Sequence, residues 1–169
     1  ILVPDERVLD VACGSGNGAI AAARRTWGAD ELLRVTKPGG RIGVASWCPD
    51  GGLQDFFAAI VKHTGGPPPG APPVLWGDEA HVRELFGDSV SELRAERLKS
   101  RQAFRSAEHY IGFFRDYFGP IKTAFEAVGP EGEAELTADL ERVLDNLSTG
   151  GQRALVVEPE YLQVIAVRA

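Results

Sequence analysis

Two glycines and one carboxylate lie close together near the start of the sequence. Gly14 and Gly16 frame a short turn, and Asp10 stands four residues before the first of them, inside the apolar run Arg7–Val11. Glycine tolerates a positive φ and lets the backbone approach a ligand closely. The run before the turn predicts a buried strand, and the alanine-rich segment after it predicts a helix. A strand, a glycine turn and a helix N-terminus are the parts of a nucleotide-binding site.

The choice of nucleotide depends on Asp10. The spacing Gly14-x-Gly16-x-x-Ala19 fits the dinucleotide fingerprint, which is a weak signal by itself. An NAD-dependent oxidoreductase therefore stays an alternative. Asp10, however, occupies a strand position where dinucleotide folds usually carry an apolar residue. A carboxylate there could bind an ammonium group, which S-adenosylmethionine has and NAD lacks, so the residues favour S-adenosylmethionine.

Two segments carry a family resemblance. Leu9–Gly18 resembles motif I of the class I S-adenosylmethionine-dependent methyltransferases, and Glu31–Arg41 resembles the helix and turn that lead into the fifth strand of that family. The nearest branch is the small-molecule one, similar to the ubiquinone/menaquinone C-methyltransferases. The resemblance implies methyl transfer from S-adenosylmethionine to a small-molecule acceptor by in-line displacement. It also implies a set of cofactor-binding residues, which are Asp10, Ala12, Cys13, Gly14, Ser15, Gly16 and Asn17.

The resemblance implies the fold and its division. We expect a single α/β domain over residues 1–169, with a Rossmann-like, doubly wound, mostly parallel sheet. A C-terminal antiparallel hairpin and a helical insertion would complete it. Residues 1–47 would form the cofactor-binding part, and residues 48–90 and 105–150 would cover the substrate side. A methyltransferase-like scaffold protein that does not catalyse is the alternative to an enzyme.

The junction between Gly28 and Ala29 does not fit such a sheet. Strands two to four, with their helices, should precede the helix that ends before Pro38, yet that helix begins directly after Gly28. The sequence also contains no methionine. We therefore predict that about 50 to 70 residues are missing at this junction, the length that three strands and their helices need. A natural deletion is the alternative.

The substrate-lining candidates are aromatic. Trp47 closes the predicted strand Arg41–Trp47, at the carboxyl end where such sheets bind ligands, and it either lines the site or packs in the core. In a later helix, which Ser106 is expected to cap, four aromatic residues recur at helical spacing. They form either plain core or a lid over an apolar acceptor, and they are Tyr110, Phe113, Phe114 and Tyr117.

The histidines give little sign of chemistry. No two of His63, His81 and His109 stand at metal-ligand spacing, so no metal site is predicted and each is expected at the surface. His109, beside the aromatic residues, is a weak candidate for a general base. Methyl transfer can proceed without a dedicated base, because proximity and orientation supply much of the catalysis. The catalytic residues are otherwise unknown at this stage.

Composition narrows the classes of partner. The chain has 44% hydrophobic and 25% charged residues, as in ordinary globular proteins, and a net charge of −6. That charge argues against nucleic acid and acidic membranes as partners, and no run reaches the length of a membrane span. Two cysteines make a disulfide framework unlikely and fit a cytoplasmic protein. A homodimer stays open.

Overall fold

The computed structural model describes residues 27–66, 73–151 and 153–169. These residues form five α-helices and five β-strands, with two short 3₁₀ segments at Pro73–Gly77 and Gly87–Ser89. In chain order the elements are α1 (Trp27–Val35), β1 (Arg41–Trp47), α2 (Gln54–Thr64), α3 (Glu79–Phe86), β2 (Val90–Lys99), β3 (Gln102–Phe104), α4 (Ala107–Tyr117), α5 (Gly119–Leu147), β4 (Leu155–Val157) and β5 (Glu160–Arg168).

The larger sheet has three strands in the order β1-β5-β2. The central strand β5 runs antiparallel to both neighbours, so that Ile165 lies opposite Gly43 on one side and opposite Arg94 on the other. The smaller sheet is the antiparallel pair of β3 and β4. Along β5 buried and more exposed residues alternate, as expected for a strand with one face on a core.

The prediction of a doubly wound, mostly parallel sheet is wrong. Every strand pair in the described ranges is antiparallel, and helices make up most of this part of the chain. The reason is the position of β5, which lies between β1 and β2 and separates the two strands that run in the same direction. A parallel sheet requires neighbouring parallel strands joined by crossovers. The antiparallel pairing expected between the last two long strands is found, as β2 with β5.

Gly28 and Ala29, between which residues are predicted to be missing, belong to one helix in the structure. Both residues lie inside the continuous helix α1, which begins at Trp27, and both are buried. The prediction that about 50 to 70 residues are missing at this junction stays a prediction. In place of three strands and their helices, one helix leads directly to the turn before β1.

One face of the larger sheet packs on two helices. Alternate residues of β1 and β5 meet α1 and α3 in a buried cluster with Ala29, Ile42, Cys48, Val82, Phe86, Leu162, Val164 and Ala166. Asp78 fixes the start of α3, because its side chain accepts a hydrogen bond from the backbone N–H of His81 at 2.7 Å. This sheet core holds β1 and the residues after it in place.

The second core is helical. Helices α2, α4 and α5 enclose it together with the β3–β4 pair, and its fully buried residues include Ile121, Leu136, Leu140 and Leu144. Helix α5 is broken at Gly129, where φ is 63° and ψ is −176°, and Pro130 starts its second segment. A positive φ costs glycine little, so this residue suits the break. None of the helices in the described ranges is both long and apolar enough to cross a membrane.

Candidate functional site

The predicted cofactor-binding residues lie outside the described ranges. Asp10, Ala12, Cys13, Gly14, Ser15, Gly16 and Asn17 all belong to residues 1–26. The second segment of the family resemblance, Glu31–Arg41, lies within the described ranges. It forms the end of α1 and the turn that leads into β1. Gly39 has a φ of 73° and its N–H donates to the carbonyl of Arg168 at 2.9 Å, while the N–H of Arg168 donates to the carbonyl of Gly40. The turn is therefore fastened to the end of β5.

Trp47 lies at the carboxyl end of β1, as the sequence predicts. Its side chain is 37% exposed and packs edge-to-face against Tyr161, with the ring centroids 6.3 Å apart. It belongs to neither buried cluster, so of the two alternatives for Trp47, core packing does not hold. Gly77 packs directly against the Trp47 carbonyl, where a Cβ atom would lie 1.9 Å from the oxygen. The strand end is thus covered from one side by the segment Pro73–Gly77.

The loop after Trp47 is held by an ion network. The Arg97 guanidinium on β2 donates to the carboxylate of Asp50 at 2.9 Å and to that of Glu160 at 2.8 Å. Hydrogen bonding from Arg97 lowers the pKa of Asp50 and raises that of the guanidinium. These contacts tie the loop to the neighbouring strands, so the carboxyl end of β1 has a defined shape.

Cys48 follows Trp47 and is free and buried. Burial is the main cause that raises the pKa of its thiol, and the carboxylates of Asp50 and Glu160 act in the same direction against the opposing charge of Arg97. A thiol with a raised pKa is a poor nucleophile and a poor metal ligand at neutral pH. Cys48 is therefore a packing residue at this strand end.

The aromatic residues on α4 divide into two groups. Tyr110 is 4% exposed and Phe114 is partly buried against the helical core, whereas Phe113 and Tyr117 are 44% and 73% exposed. Burial raises the pKa of Tyr110 to about 12, so its hydroxyl stays protonated at neutral pH. Core packing therefore holds for Tyr110 and Phe114, whereas Phe113 and Tyr117 present their rings to solvent and their role in a lid stays a prediction.

The exposed rings line an open groove along α4. We call it the α4 groove, and its main lining residues are Arg105, Glu108, His109, Phe113, Asp116 and Tyr117. Ser106 caps the helix by accepting from the backbone N–H of His109 at 3.1 Å. The His109 ring packs edge-to-face on Phe104, and its Nδ1 accepts from the N–H of Arg105 at 3.4 Å. These contacts hold the His109 ring in place at the edge of the groove.

A cluster around Asp139 was missed by sequence reasoning. The Asp139 carboxylate on α5 accepts from the Lys62 ammonium at 2.8 Å and from the Arg142 guanidinium at 2.7 Å, and it lies 2.8 Å from Nε2 of His63. The His63 side chain is 9% exposed, so its expected place at the surface is wrong. The signal available in the sequence was the position of Asp139 between Leu136 and Leu140, since a charge on an apolar helix face requires a partner.

The structure keeps the candidates in separate places. Trp47 lies at the end of the three-stranded sheet, whereas Tyr110, Phe113 and Phe114 group around Phe104 beside the helical core. The ring contacts of the described residues do not join the two groups. Among these same residues, no three His, Cys, Asp or Glu side chains come together in a way that could hold a metal ion.

Comparison with known proteins gives relatives but no activity. No protein-family model matches the chain. It is 36% identical over 154 residues to an uncharacterized protein of Mycobacterium tuberculosis and to one of Mycobacterium bovis, a match that covers 90% of this chain and 56% of each relative. A second uncharacterized protein of M. tuberculosis is 32% identical over 126 residues, or 73% of this chain and 46% of that protein. The chain spans about half the length of the curated relatives it matches.

Proposed function

We propose that the protein transfers a methyl group from S-adenosylmethionine to a small-molecule acceptor. The observation that carries the proposal is the pair of sequence segments Leu9–Gly18 and Glu31–Arg41, in the order that the methyltransferase family has. The second segment supports it by its local structure, since α1, the tight turn at Gly39 and Gly40, and β1 follow one another as the resemblance implies.

The residue types of the first segment suit the binding of this cofactor. Asp10 offers a carboxylate to the methionyl ammonium, and glycines at positions 14 and 16 allow the backbone to approach the nucleoside closely. S-adenosylmethionine, when bound, supplies a methyl group on a good leaving group. The protein residues then have to hold and orient the two reactants, which is the main source of rate in such a reaction. Of the aromatic candidates for the acceptor side, Trp47 and Phe113 are exposed, and they mark two separate candidate places, with His109 beside Phe113 as a weak candidate for a base. Tyr110 and Phe114 pack in the helical core and would support the acceptor side from behind.

A second candidate is a methyltransferase-like binding protein that does not catalyse. The continuous helix α1 favours it, because the described chain passes from this helix to β1 with no strand that could carry a carboxylate for the ribose. A cytoplasmic location is part of either proposal, and the buried free thiol of Cys48 supports a reducing compartment.

Calorimetry on one sample separates the candidates. S-adenosylhomocysteine and NAD are titrated in turn into the protein. Binding of S-adenosylhomocysteine alone supports the methyltransferase, and transfer of labelled methyl to one of a panel of acceptors would then identify the substrate. Binding of neither compound favours the non-catalytic protein, and binding of NAD alone contradicts both.

A further inference from the structure

We propose that the α4 groove is a binding site for a small organic ammonium ion. Phe113 and Tyr117 would provide the ring faces, and Glu108 and Asp116 the opposite charge. The site shares Phe113 with the proposed acceptor side, but it is argued from the side chains around this groove and does not depend on the methyltransferase resemblance.

Two exposed aromatic rings lie side by side in the groove. The centroids of Phe113 and Tyr117 lie 5.1 Å apart with their planes tilted by 45°, and the side chains are 44% and 73% exposed. Phe104 packs on Phe113 from the other side at 5.7 Å and supports that ring. Aromatic faces attract cations within about 6 Å of the ring centre, most strongly those that shed water easily, such as quaternary ammonium groups.

The groove is also lined by charged side chains. Glu108 and Asp116 line the same groove and are exposed, and in the described ranges neither carboxylate has a hydrogen-bond or ion-pair partner. Arg115 precedes Asp116 in the sequence. Its guanidinium donates two hydrogen bonds to the carboxylate of Glu133 on α5. Among the described residues that line the groove, Arg105 is the one Lys or Arg side chain. The lining of the groove therefore holds two carboxylates and one guanidinium, and although the charge of Arg115 also acts on Asp116, the excess of negative charge favours a cation over an anion as ligand.

The spacing on the helix brings these parts together. Residues 109, 113 and 117 are four apart, and residues 108, 112 and 116 form the neighbouring row at the same spacing, so both rows lie on one side of α4. Gly112 leaves the middle of the stripe without a side chain, and nothing lies within 4 Å of where its Cβ would be. A ligand can therefore lie flat against the helix between the rings and the carboxylates.

The test is a titration with choline, followed by ¹H–¹⁵N spectra of the labelled protein. Its neutral isostere 3,3-dimethylbutan-1-ol, in which a carbon replaces the nitrogen, serves as the matched probe. We expect choline to shift the amide signals of α4 residues, with an affinity about fivefold or more above that of the alcohol. Equal affinity of the two probes, or signals shifted elsewhere, would overturn the proposal, as would the absence of choline binding.

Variants locate the site. Tyr117→Leu keeps an apolar side chain but removes a ring face, and it should lower choline affinity about fivefold. Glu108→Gln combined with Asp116→Asn should weaken binding of choline but not of the alcohol. Glu84→Gln, an exposed carboxylate on α3, is the control and should change neither affinity. Because Tyr117 and both carboxylates are exposed, the variants should fold, which circular dichroism checks. Unchanged choline affinity in both groove variants would refute the assignment, whatever the result with S-adenosylhomocysteine.

Discussion

Nε2 of His63, near the end of α2, lies 2.8 Å from the carboxylate of Asp139 in the second segment of α5. The Asp139 side chain is 13% exposed and lies on the face of α5 that carries the fully buried Leu136 and Leu140. A carboxylate in such a position is stable only with cationic or hydrogen-bonding partners, and α2 supplies two of the three. The cluster therefore fixes how α2 packs on the segment of α5 that follows the break at Gly129.

Replacement of this carboxylate should destabilise the protein. Asp139→Asn keeps the size of the side chain but leaves Lys62, His63 and Arg142 together without their negative partner. We expect a lower urea midpoint with an unchanged m-value, because the loss is local. Asp145→Asn, an exposed position on the same helix, is the control and should leave the midpoint where it is. Equal midpoints for the two variants would show that the cluster contributes nothing to folding.

The same cluster should make stability depend on pH. Lys62, His63 and Arg142 hold the pKa of the Asp139 carboxyl well below its ordinary value of 3.8. A depressed pKa in the folded state stabilises the protein where the unfolded carboxyl is ionised, and this stabilisation is lost as pH falls through the folded-state pKa. The difference in unfolding free energy between wild type and Asp139→Asn should be largest above about pH 5 and shrink towards about pH 2. A difference that stays level or grows on acidification would contradict the assignment.

Substitution of glycine by alanine should lower stability at position 77 and raise it at position 112. A Cβ at Gly77 would meet the Trp47 carbonyl oxygen at 1.9 Å and the Cα of Cys48 at 2.9 Å, so Gly77→Ala must push the 3₁₀ segment away from β1. We expect a loss of about 1–3 kcal/mol, the usual cost of overpacking. Gly112 lies inside α4 with free space around it, so Gly112→Ala should gain about 0.5–1 kcal/mol from helix propensity. Thermal or urea unfolding measures both, and a destabilised Gly112→Ala would show that the space there is not free.

Local signals in the sequence predict local structure well here. The strand Arg41–Trp47 is found with the predicted bounds, and Ser106 caps its helix as expected. Each of these depends on a few neighbouring residues, because strand patterns and caps act over one or two turns. The helix broken at Gly129 likewise follows from a glycine and a proline in sequence.

Short-range patterns in the sequence could not predict the strand pairing or the Asp139 cluster. Whether β1 is followed in the sheet by a parallel or an antiparallel neighbour depends on β5, more than 100 residues further along the chain. His63 and Asp139 are 76 residues apart, so their contact has no short-range pattern. The division of the α4 aromatics also depends on tertiary packing, since Tyr110 and Phe113 have similar propensities but are 4% and 44% exposed.

Loss of the Asp10 carboxylate should weaken binding of the cofactor product S-adenosylhomocysteine. The motive is a single carboxylate within the apolar run Arg7–Val11, directly before the glycine turn. If Asp10 binds the ammonium group of the cofactor, Asp10→Ala removes a charge-assisted hydrogen bond and should weaken S-adenosylhomocysteine binding by about 1–3 kcal/mol, or about 5- to 160-fold in Kd. Asp30→Ala, an exposed position in the first turn of α1, makes the same substitution away from the motif and should leave Kd unchanged. Calorimetry measures both variants, and unfolding curves confirm that they fold. Wild-type affinity in folded Asp10→Ala would count against the methyltransferase, since no other residue of the motif offers a negative charge to the ammonium group.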